Sequence, residues 1–76
     1  MRRSVKVYVS QSDGYFVAEC LEINVVTQGR TVDETIANVQ EAVALFLERE
    51  DPADFDLVPS PALLITLEVE SPAHAR

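Results

Sequence analysis

Apolar and polar residues alternate along this chain at two periods, and the switch between them marks out the elements. Val5, Val7 and Val9 interleave with Lys6, Tyr8 and Ser10, the period of two that a half-buried strand requires. Gln11-Ser12-Asp13-Gly14 follows. Asp-Gly between two β-rich runs predicts a hairpin, because its tight turn needs the positive φ that these residues tolerate. A second strand is predicted over Tyr15–Cys20, with Phe16, Ala18 and Cys20 on one face and Tyr15, Val17 and Glu19 on the other. Residues 21–24 read as a short connection and 25–28 as a third strand, ended by Gly29.

The period then changes. From Thr31 to Glu50, Val32, Ile36, Val39, Val43, Phe46 and Leu47 recur at steps of three and four, while Glu34, Asn38, Glu41 and Glu48 fall off that stripe. Thr31 and Glu34 have capping-box spacing, in which the threonine oxygen accepts from the Glu34 N–H and the carboxylate reaches back to the Thr31 N–H. Asp33 and Glu34 suit the positive end of the helix dipole. Neither proline nor glycine interrupts the run, so a helix of roughly 27 Å is predicted, long enough to cover a small sheet. It ends at Asp51, which precedes Pro52 and is biased away from helical geometry.

Phe55, Leu57 and Val58 are expected to anchor the following loop on the core, with Pro59 and Pro61 stiffening the approach to a last strand over 63–70. In that strand Leu63, Ile65, Leu67 and Val69 share a face, and Leu64, Thr66, Glu68 and Glu70 point the other way. The expected fold is α+β, in the order β-β-β-α-β. A right-handed crossover sets the last strand parallel to the first, giving one mixed four-stranded sheet of order 3-2-1-4 with a single helix on one face. Residues 1–70 read as one domain and 71–76 as a frayed tail. The second sheet face is mixed in character, which favours self-association through the sheet or its edge strands.

Size and charge narrow the function. Seventy-six residues bury only about 60% of the surface the unfolded chain exposes, so a homodimer or higher homo-oligomer is expected. No apolar run approaches the ~18 residues needed to cross a bilayer, and the start MRRSVKVYVSQSDG has no signal-peptide core. With Cys20 as the only cysteine, a reduced, cytoplasmic setting is the default expectation. The formal net charge of −7, with six scattered basic residues, argues against direct nucleic-acid binding. It suits either a basic partner or plain solubility. Glu48, Glu50, Asp51, Asp54 and Asp56, offset only by Arg49, read either as a solvated turn or as a docking patch.

Candidate chemistry is sparse. Two-metal hydrolysis needs carboxylates converging from neighbouring strands to hold ions ~4 Å apart, yet 5–9 contains none. Glu68 and Glu70 share a strand face without a partner beside them. His74, the only histidine, lies far in sequence from Cys20, so no base is in view for that thiol. Gly14 and Gly29 are the only glycines, and both belong to turns rather than to a phosphate loop. No catalytic residue, metal or cofactor is predicted, and the chain is not expected to be an enzyme.

Asp13-Gly14-Tyr15-Phe16-Val17-Ala18-Glu19-Cys20, then Val26-Thr27-Gln28-Gly29, then the run from Thr31 through Leu47 together resemble the N-terminal domain of HicB-type antitoxins. The resemblance covers residues 5–70 and implies a partial ribonuclease-H-like fold. It further implies an antitoxin role, in which the domain masks a small basic ribonuclease toxin of the HicA type. Leu21 and Asn24 stand where that family usually has proline and Pro-Gly, so the loop is expected to differ in shape. The chain stops just after the last strand, without the family's DNA-binding domain, so operator binding is not carried over. The expected partner contacts are Glu34, Asn38, Glu41 and Glu48 on the outer helix side, with Glu50 and Asp51 in the turn after it. The alternative is an oligomeric scaffold or small-ligand-binding domain with no toxin partner.

Overall fold

The computed structural model describes residues 1–71; most of the predicted tail, residues 72–76 with His74, lies outside the described residues. The elements are β1 (Arg2–Ser12), β2 (Tyr15–Cys20), β3 (Val26–Gly29), α1 (Val32–Arg49), a 3-10 turn (Pro52–Phe55) and β4 (Leu57–Leu67). They form one α+β unit whose single sheet has the order β3-β2-β1-β4. β1 runs antiparallel to β2 and parallel to β4, and β2 runs antiparallel to β3. This is the predicted topology.

The hairpin forms for the predicted reason. Asp13 and Gly14 take φ of 33° and 85°, the two positive values that let a two-residue turn follow the strand twist. Ser12 then faces Tyr15, and the register carries Val9 to Ala18 and Val7 to Cys20. Val5, Val7, Val9, Ala18 and Cys20 consequently share one face and are all buried. Val39 and Val43 of α1 close over them, joined by Leu57 and by Ile23 and Val25 from the β2–β3 connection. Phe46 meets Phe55 edge-on, with centroids 5.2 Å apart, and this contact pins the 3-10 turn under the end of the helix.

The last strand differs from its prediction. β4 starts at Leu57, not at 63, and ends at Leu67, not at 70. Pro59 and Pro61 lie inside it. The match between β1 and β4 slips there, Arg2 facing Leu57 while Ser4 already faces Ala62. An edge strand beside a bulge tolerates prolines because half of its N–H groups have no ladder partner to lose. The other unforeseen element, the 3-10 turn, has Asp51 as its N-cap, accepting from the Ala53 N–H at 3.0 Å, and Asp56 in the left-handed region at φ 58° as its end.

The join between β3 and α1 is closely packed. A Cβ on Gly29 would come within 2.6 Å of Thr35 Oγ1 and 2.7 Å of the Thr35 backbone nitrogen. Thr35 is wholly buried, and its hydroxyl donates to the Thr31 carbonyl at 2.7 Å. Gly29→Ala should therefore destabilise the fold by about 1–3 kcal/mol through overpacking against backbone that cannot yield. A thermal unfolding scan checks this, and an unchanged midpoint would show that the junction has slack.

Glu22 fills a gap in the ladder. Past Cys20 the chain leaves the sheet, and the Glu22 carboxylate accepts the Lys6 backbone N–H at 2.8 Å in place of a strand carbonyl. Burial opposes its charge, but that N–H, its own backbone N–H and the Lys6 ammonium at 3.4 Å together hold its pKa below the ordinary glutamate value. A carboxyl with a depressed folded-state pKa stabilises above its unfolded value, and the contribution is lost as pH falls through the folded one. Stability should thus decline as pH falls below the ordinary glutamate pKa, and Glu22→Gln should flatten that limb in denaturant melts taken against pH. Glu22→Ala should cost about 1–3 kcal/mol at neutral pH, because the Lys6 N–H loses its acceptor.

Candidate protein-binding surface

The helix presents its outer face because its inner face is committed. Val39 and Val43 point into the core, so Glu34, Glu41, Leu45 and Glu48, spaced by seven, four and three residues, line the opposite side. All four are exposed. Leu45, half exposed at 50%, is an isolated apolar group among three carboxylates. Glu50, Asp51 and Asp54 continue the acidic run beyond the helix end, where Arg49 is the one basic neighbour in sequence.

The six predicted contact residues separate into two kinds. Glu41, Glu48 and Glu50 are exposed and make no ion pair or side-chain hydrogen bond among the described residues. Glu34, Asn38 and Asp51 hold the fold as well as facing outward. The Thr31 hydroxyl accepts from the Glu34 N–H at 3.0 Å, as the capping box requires, but the Glu34 carboxylate accepts from the Arg30 N–H, not from Thr31. Asn38 donates to the Gln28 carbonyl at 2.8 Å and ties the helix to β3. Asp51 caps the 3-10 turn. Asp56 is offset from an unexpected quarter: Arg2 and the N-terminal ammonium each approach it at 3.9 Å.

Two features had weaker signals in the sequence. Leu45 lies off the apolar stripe, and an apolar residue at an outward helical position is the clue that marks it. The second sheet face is mixed, as expected: Leu64 and Val26 are 57% and 61% exposed there beside Lys6, Tyr8 and Thr66. Among the described residues no group of three His, Cys, Asp or Glu side chains is arranged to hold a metal ion, and no helix is long and apolar enough to cross a membrane.

Cys20 belongs to the core. Burial, with a smaller push from the nearby Glu22 charge, raises its thiol to about 11, so the reactive thiolate is scarce near neutral pH. A disulfide reagent at pH 8 should label Cys20 only as fast as the protein opens, and immediate stoichiometric labelling of native protein would contradict this placement.

Compared with known proteins, the chain matches no family model, no curated protein and no solved structure.

Proposed function

We propose that this protein is a cytoplasmic antitoxin module of the HicB type, which binds a small basic ribonuclease toxin and blocks its RNA-binding surface by occupying it. The observation that carries the reading is the outer face of α1, an exposed Leu45 flanked by Glu41 and Glu48, with Glu34 on the same side nearer the helix start and Glu50 and Asp51 extending the row. An apolar anchor inside a charged rim is the layout of a protein-binding patch. Carboxylates around it would steer and orient a cationic partner, and a net charge of −7 extends that pull beyond the patch. The β-β-β-α-β order and the spacing of Asp13-Gly14, Thr27-Gln28-Gly29 and Thr31, Glu34, Thr35 and Asn38 support the family resemblance.

In this mechanism the protein transforms nothing. It acts by covering a surface that must stay open for RNA to enter, so its potency follows affinity and the concentration of the two chains.

Co-expression with a small basic protein encoded beside this chain tests the reading. The pair should co-purify, relieve growth arrest and dissociate more readily as salt rises. Leu45→Ala should weaken the complex by about tenfold, and Glu41→Lys with Glu48→Lys by at least that much, while both variants keep the native melting curve. Arrest that persists with no complex formed would reject the antitoxin role and leave a scaffold or ligand-binding domain.

A further inference from the structure

We propose that the free edge of β4 seats a second copy of this chain, the two β4 strands pairing antiparallel about a two-fold axis at Ile65. β4 is the last strand of the sheet, with β1 on one side and, among the described residues, no strand on the other. The Glu68 N–H donates to the Val9 carbonyl at 2.9 Å, so even-numbered positions face β1. Strand alternation then turns the N–H and C=O groups of Leu63, Ile65 and Leu67 outward. Natural edges of this length are usually blunted by charge or proline. Here no charged residue occurs between Leu57 and Leu67, and the prolines, at 59 and 61, stop short of this stretch. The opposite edge, β3, is only Val26–Gly29.

Three observations select a second copy and fix the register. Pro61 has no N–H to offer, and pairing Ile65 with its own equivalent and Leu63 with Leu67 uses every outward N–H of this stretch while leaving Pro61 outside the ladder. That register seats each Leu67, 39% exposed, beside the other copy's Leu63. Leu63 forms one wall of an apolar groove between α1 and β4, lined also by Val43, Ala44, Leu47 and Pro61, and the incoming leucine fills it from the open side. Charge agrees with the antiparallel sense. Glu68 and Glu70 of one copy come alongside the end of the other sheet that carries Arg2 and Arg3, whereas a parallel arrangement would bring the acidic ends together.

The result is a continuous eight-stranded sheet closed by an isologous contact. Both helices lie on the same side of it with their acidic outer rows free, so one dimer offers two copies of the helix surface. The pairing does not depend on the toxin reading, because it involves only this chain.

Sedimentation equilibrium of the full chain from micromolar to millimolar concentration, read with amide hydrogen exchange, tests the proposal. A monomer–dimer equilibrium is expected, with exchange at Leu63, Ile65 and Leu67 slowed about 100-fold in the dimer. Leu67→Pro removes an outward N–H at an exposed strand end and should shift the chain to monomer while its circular dichroism stays native. A chain that remains monomeric throughout, or a dimer in which those three amides exchange freely, would overturn the proposal. Should the proline variant fail to fold, the exchange data on the unmodified chain decide alone.

Discussion

The close approach of Gly29 to Thr35 sets the rest of this molecule. It brings the last residue of β3 against the first turn of α1, so the helix leaves the sheet at a fixed point. Thr31, Glu34 and Asn38 hold that exit with hydrogen bonds to Thr35 and to the backbones of Glu34, Arg30 and Gln28. From there Val39 and Val43 join the valines of β1, with Ala18 and Cys20 of β2, in one buried cluster. Loosening the junction would lose the alignment of two surfaces whose residues are far apart in sequence.

One helix on a four-stranded sheet leaves much of the chain uncovered. The core is narrow, built on three valines of a central strand, and the apolar residues beyond it are only half hidden. In a chain of this size, surface that stays apolar is kept for contact more readily than for stability. The outer row of α1 (Glu34, Glu41, Leu45 and Glu48) and the edge of β4 (Leu63, Ile65 and Leu67) share no residue, so each contact has its own surface. Self-association would bury the edge, and the helix row would stay open to a partner of opposite charge.

The topology could be read from the chain because its signals are local and redundant. Asp13-Gly14, the alternating valines and the capped amphipathic run each require one conformation, and together they leave few arrangements. The misjudged parts depend on distant partners. β4 begins at Leu57 because β1 extends back to Arg2 and offers it an edge, which overrides what Pro59 and Pro61 suggest locally. Glu22 reads as an ordinary loop carboxylate until the departure of the chain after Cys20 exposes the Lys6 N–H. The outer helix row is legible by elimination, since the inward stripe has a period of its own. Leu45 escaped because a single exposed leucine has no periodicity of its own.

The central claim is that this protein works by covering a basic partner with the outer face of its helix. Chemical-shift mapping of the isotope-labelled chain, titrated with the small basic protein proposed as its partner, tests it most directly. The account predicts that perturbations gather on Glu34, Glu41, Leu45 and Glu48 and run on into Glu50 and Asp51. Perturbations centred on the open sheet face, around Leu64 and Val26, with the helix row unchanged, would contradict it.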